Sequence, residues 1–238
     1  MERKPPSPLA SSAAWLGAGV MGGFVCGLLA GGVGGRLAMF VLRLTSAPSL
    51  RGIETDDGFT IGVFSTATLF LLGVTSALGI LGGLLYLIAR GWFPSRWRVP
   101  AMALFFGTVG GAGVIRPGGR DFTLLSPLPL AIAMFVAIAI GYGVAMPLLV
   151  ERLLRGDGWV RRSRWGWLVA LLPLVVGNVF GIAVLAVAAG IRAAVRGAPA
   201  LVDLWRSPVI SWIGRLAMLA VTTVSGVNLV SDTIDIVS

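Results

Sequence analysis

The residues best placed for chemistry in this chain are two arginines in a repeated pentapeptide. Gly35-Arg36-Leu37-Ala38-Met39 recurs as Gly214-Arg215-Leu216-Ala217-Met218, and both copies lie inside long apolar stretches. A guanidinium is costly in apolar surroundings, so each arginine needs a physical reason. Its planar fork of donors suits carboxylate and phosphate. Carboxylates that could meet it are Asp203 and those of two polar stretches. Arg51-Gly52-Ile53-Glu54-Thr55-Asp56-Asp57-Gly58 supplies Glu54, Asp56 and Asp57, and Arg116-Pro117-Gly118-Gly119-Arg120-Asp121-Phe122 supplies Asp121. One use of this set is a structural network that fixes loops onto the framework. A second is a site for an anionic ligand or lipid headgroup. There Arg36 and Arg215 make the contacts, and Glu54, Asp56, Asp57 and Asp121 position them or gate access. A third is proton or ion coupling through the acids. Asp56 and Asp57 could also hold a cation or act as acid and base, although adjacent aspartates in a loop are more often turn residues.

Other chemistry is narrowed by what the chain lacks. It has no histidine and a single cysteine, Cys26, in an apolar run. That removes Ser-His and Cys-His nucleophilic pairs and any intrachain disulfide. No His-Glu-x-x-His, Cys-x-x-Cys or phosphate loop ending in Gly-Lys-Ser/Thr occurs, so the sequence assigns no metal, cofactor or catalytic residue.

The elements that must position these residues are membrane helices. Only 12% of residues are charged and 56% are hydrophobic, against roughly 25% charged in soluble domains. Six apolar segments, about 13–43, 61–89, 99–115, 128–150, 165–191 and 207–230, are each long enough for a helix across a ~30 Å hydrocarbon core. Runs of this length without alternation exclude a barrel. The expected fold is an all-α integral membrane bundle of about six transmembrane helices, residues 13–238, after a disordered N-terminal tail of residues 1–12. With the N-terminus inside, Arg3, Lys4, Arg90, Arg96, Arg98, Arg152, Arg155, Arg161, Arg162 and Arg164 fall on the inner side. Arg43, Arg51, Arg116, Arg120, Arg192, Arg196 and Arg206 fall outside. The excess favours both termini in the cytoplasm. Six alternating crossings then place Arg36 and Arg215 in one layer, roughly 12 Å below the outer ends of their helices.

Packing signals accompany the charges. Gly19, Gly23, Gly27, Gly31 and Gly35 are spaced by four, which lines them along one slowly drifting helix face and lets another backbone come close. The glycine-rich run Ala30 to Gly35 predicts a locally opened helix just before Arg36. Pro173, with Gly177 and Asn178, predicts a kink in the fifth segment. Thr222, Ser225, Asn228, Asp232 and Asp235 form a polar strip, read as interhelical hydrogen bonds running into an exposed helix end. Arg161, Arg162 and Arg164 beside Trp159, Trp165 and Trp167 read as an anchor to anionic lipid headgroups. The net charge of +9 is thus matched to the bilayer rather than to nucleic acid.

The Gly-Arg-Leu-Ala-Met pieces, Arg51 to Phe59, Arg116 to Phe122 and the closing Ser231-Asp232-Thr233-Ile234-Asp235-Ile236-Val237 resemble small polytopic membrane proteins of high-GC bacteria. The resemblance implies a bacterial cytoplasmic-membrane address and no particular activity. The leading expectation is a non-enzymatic membrane protein that binds or passes a small anionic species or headgroup. The alternative is a structural or assembly subunit of a larger complex, or a homo-oligomer, packing through the glycine-rich first helix. A lipid-acting enzyme lacks a recognisable nucleophile.

Overall fold

The computed structural model of the 238-residue chain describes residues 8–46, 66–117, 127–155, 158–162, 165–176 and 207–237. Among these, every regular element is a helix. Helix α1 (Pro8–Cys26) passes through a π-helical stretch (Gly27–Gly34) into α2 (Gly35–Thr45) without a break. Then follow α3 (Thr66–Ala89), α4 (Ser95–Val114), α5 (Leu128–Leu154), the single turn α6 (Trp159–Arg162), α7 (Gly166–Val176) and α8 (Pro208–Val237).

Helix α1 starts at Pro8, so residues 8–12 belong to the first helix and not to the expected tail. Proline is tolerated in a first helical turn because its missing N–H has no partner there anyway. Among the described residues, four helices are long and apolar enough to cross a membrane: Ser12–Thr45, Thr68–Ala89, Leu128–Leu154 and Pro208–Val237. Among the described residues one expected crossing falls short of that: α4 opens with Arg96 and Arg98 inside its first turns. The fifth segment, residues 165–191, lies partly outside the described residues, and α7 is its described part.

The glycine spacing produces the central contact. α1 and α3 run antiparallel, with Gly19 against Gly83, Gly23 against Gly79 and Gly27 between Thr75 and Gly79. A Cβ at Gly23 or Gly79 would collide with the other helix's backbone, so these backbones touch directly. At the same contact, Tyr142 of α5 donates its hydroxyl at 2.7 Å to the Gly79 carbonyl that faces Gly23. α4 lies antiparallel to α5, with Gly107 against Ile140 and Gly143 against Met102 and Ala103. One core cluster includes Ala18, Tyr86, Met102, Met146 and Val150, and a second joins Leu42, Ile115 and Ala131 near the opposite end.

The last two helices do not alternate. Gly17 of α1 packs on Trp167 and Ala170, while Val20 clusters with Leu174. α7 therefore runs parallel to α1. Gly214 meets Trp92, Gly226 meets Thr108 and Leu229 meets Gly111, which makes α8 parallel to α4. Both α7 and α8 thus start at the end where α1 and α4 start. The end of α8 lies at the opposite end from the start of α1. The direction of α8 therefore departs from the expected alternation of helices.

Candidate functional site

The end of the bundle at which α1, α4, α7 and α8 begin and α3 and α5 finish is built around one carboxylate. Glu151 sits in the last turn of α5. Arg90 follows α3 and approaches Glu151 as a fork, Nε to Oε1 at 3.1 Å and Nη2 to Oε2 at 3.0 Å. Arg98 of α4 donates Nη1 to Oε1 at 2.9 Å, and its Nε holds the Phe93 carbonyl at 3.2 Å. The fully buried Tyr86, one turn before Arg90, donates its hydroxyl to Oε1 at 2.7 Å. Four donors from two helices and a turn converge on an acceptor from a third. Such a charge-assisted fork fixes orientation as well as adding energy. The three charged side chains remain 24 to 32% exposed, so the network is a latch at the rim of the bundle.

The same end gathers further arginines. Arg96, Arg152 and Arg155 are exposed, and no ion pair holds any of them among the described residues. Arg215 also belongs here. Its Nε donates to the Trp92 carbonyl in the α3–α4 turn, and its guanidinium carbon lies 5.2 Å from the centre of the Trp212 ring. The Trp92 ring lies against Gly214 so closely that any Cβ there would overlap it. Gly214 admits the indole, and Arg215 then ties down its backbone.

Arg36 is at the other end of α3. Its Nη2 donates to Thr68 Oγ1 at 2.5 Å. Thr68 and Trp92 bracket α3, a helix of 24 residues and so roughly 36 Å long. The expected shared layer for Arg36 and Arg215 is therefore overturned, because α8 enters from the basic end. Each arginine anchors its own helix to one end of α3. Glu54, Asp56, Asp57 and Asp121 lie outside the described residues, as does Arg164. Arg161 and Arg162 fall in α6, where only the backbone is described.

The polar strip of α8 behaves differently from its sequence reading. Thr222 donates to the Met218 carbonyl at 2.7 Å, one turn back on its own helix, so its hydroxyl is satisfied locally. Asn228 and Asp235 are exposed, while Ser225 and Asp232 are half-buried. Cys26 is a buried free thiol. No group of three His, Cys, Asp or Glu side chains able to hold a metal occurs among the described residues.

Glu151, Tyr86 and Arg90 were not singled out by sequence reasoning. The available signal was Glu151 itself, an acid directly continuing a long apolar run, with Tyr86 and Arg90 four apart at the end of another. No protein-family model matches the chain, and no curated protein or solved structure matches it either.

Proposed function

We propose that this protein is a non-enzymatic, polytopic protein of a bacterial cytoplasmic membrane. In this reading its basic end sits at the cytoplasmic leaflet and engages anionic lipid headgroups. The observation that carries it is the distribution of surface. Leu37, Phe40, Leu44, Leu69, Phe70, Leu78, Leu104, Leu148, Leu216, Val224 and Val227 all face outward, whereas the helix contacts hold glycines, Tyr142 and the Glu151 latch. A soluble protein rarely exposes apolar patches of such extent. Arginine and indole bound this surface at one end: Arg90, Arg96, Arg98, Arg152, Arg155 and Arg215, with Trp97, Trp159, Trp165 and Trp212 exposed. Basic residues concentrate on the cytoplasmic side and indoles at the interface. Among the described residues the bundle is made by the long first helix, α3, α4, α5, α7 and α8, with the last two running in one direction.

The test is reconstitution of the full chain. It should resist alkaline extraction from vesicles. Its thermal midpoint should be higher in nanodiscs containing phosphatidylglycerol than in pure phosphatidylcholine, and the gap should shrink as salt screens the headgroups. Release by alkaline wash would end the membrane reading, and equal midpoints would end the headgroup reading.

A second reading, a subunit of a larger membrane assembly, is favoured by α8. Of its 30 residues only Gly214 and Met218 are buried. Native mass measurement that finds isolated monomers in lipid at every concentration would count against it.

A further inference from the structure

We propose that Arg215 is the seat of one anionic phospholipid, gripping its phosphate at the basic end of the bundle. The proposal rests on the membrane reading above and names a discrete site within it. The guanidinium is pre-positioned on two sides. Its Nε edge is fixed to the Trp92 carbonyl, and the Trp212 ring lies 5.2 Å from its carbon. The Nη1 and Nη2 donors make no bond to any described residue. A guanidinium whose Nη pair is open is the shape that receives two phosphate oxygens side by side.

The surroundings select a lipid. Glu151 is taken by Arg90 and Arg98, so Arg215 has no carboxylate partner among the described residues, while Arg96, Arg152 and Arg155 share its end. Helical side chains lean toward the N-terminus of their helix, which turns Arg215 toward the interface. Trp212, Leu216 and Leu219 are each about 60% exposed, and their spacing puts them on one face beside Arg215. This face continues from the arginine toward the middle of the bundle, giving an acyl chain an apolar wall below the phosphate. A soluble phosphate would make no use of that wall.

The experiment uses the full chain in nanodiscs and counts retained lipids by native mass spectrometry, titrating phosphatidylglycerol against phosphatidylcholine. Wild type should hold one phosphatidylglycerol selectively. Arg215→Gln should weaken that retention about tenfold, the scale of a lost hydrogen-bonded charge pair. Arg155→Gln, an equal charge change at the same end, should weaken it by less than about threefold. Trp212→Leu keeps the Trp92 clamp and removes the indole under the guanidinium. It should weaken retention about threefold, and it carries the test if Arg215→Gln does not fold. Equal losses for Arg215→Gln and Arg155→Gln overturn the discrete seat while leaving general headgroup attraction standing. If Arg215→Gln does not fold, undiminished retention in Trp212→Leu overturns it. No preference for phosphatidylglycerol in wild type overturns both. Glycerol 1-phosphate or inorganic phosphate that displaces the bound lipid at millimolar concentration would show a soluble-anion site and overturn the lipid assignment.

Discussion

A guanidinium inside an apolar helix must place five N–H donors, and both copies of the pentapeptide begin in the same way. Gly35 and Gly214 are buried, Arg36 and Arg215 are half-buried, and Leu37 and Leu216 face outward. Beyond that their roles diverge. Gly35 has open space where a Cβ would go, while Gly214 lies under the Trp92 ring. That each arginine needs a partner was readable from its cost in apolar sequence. Their separation was not, because it depends on the direction of α8, which no local residue encodes. The Glu151 latch escaped for a related reason: its three partners are brought together from residues 86, 90 and 98 by helix pairing alone. Glu151→Gln keeps the shape but leaves two guanidinium groups facing a neutral amide. The network is partly exposed, so the cost should fall between that of a surface pair and a buried one, about 1–3 kcal/mol. Tyr86→Phe, which removes one donor, should cost about 1 kcal/mol. Unfolding midpoints in detergent test the order. Wild-type stability in Glu151→Gln would mean that the latch contributes nothing to holding α3, α4 and α5 together.

At the scale of elements, the first helix joins two kinds of winding. An α turn is shorter than four residues and a π turn is longer. A stripe of glycines spaced by four therefore drifts one way around the α part, Gly19 to Gly27, and back again in the π stretch, Gly27 to Gly34. The change of winding keeps Gly27, Gly31 and Gly32 close to Thr75 and Leu72 of α3, and Arg36 then reaches Thr68. The glycine run predicts an opened helix before Arg36; the chain instead stays helical there with π winding. The tendency toward close approach was legible in the glycine spacing. Which glycine opposes which was not, since register depends on α3 as well. The glycines should respond unequally to a single methyl group. Gly23→Ala and Gly79→Ala meet backbone and must push α1 and α3 apart, costing about 1–3 kcal/mol. Gly35→Ala meets nothing and sits in a helix, so it should be neutral or stabilise by up to about 1 kcal/mol. Thermal midpoints of the three variants, measured side by side, check this. Equal effects at Gly23 and Gly35 would sink the direct backbone contact.

At the scale of the whole molecule, the proposed membrane reading predicts one orientation from charge and helix direction. The positions of the apolar segments were legible from composition and run length, and the long helices fall close to them. Direction was inferred by alternation, which fails when consecutive described helices enter from the same end, as α7 and α8 do. With the basic end in the cytoplasm, the start of α1 is inside and the end of α8 is outside. Single added cysteines can read this, because the chain's only cysteine, Cys26, is buried and wild type serves as the blank. Arg155 is exposed at the basic end and Val237 is exposed at the end of α8. A membrane-impermeant thiol reagent applied to intact spheroplasts should label Val237→Cys and leave Arg155→Cys untouched until the membrane is opened. The reverse pattern would keep the fold and invert its orientation, moving the basic end away from the anionic inner leaflet. Labelling of both positions from one side would contradict the parallel packing of α8 on α4. The contacts of Gly214 with Trp92, Gly226 with Thr108 and Leu229 with Gly111 place these two positions at opposite ends of the bundle, which in the proposed membrane reading are opposite faces of the bilayer.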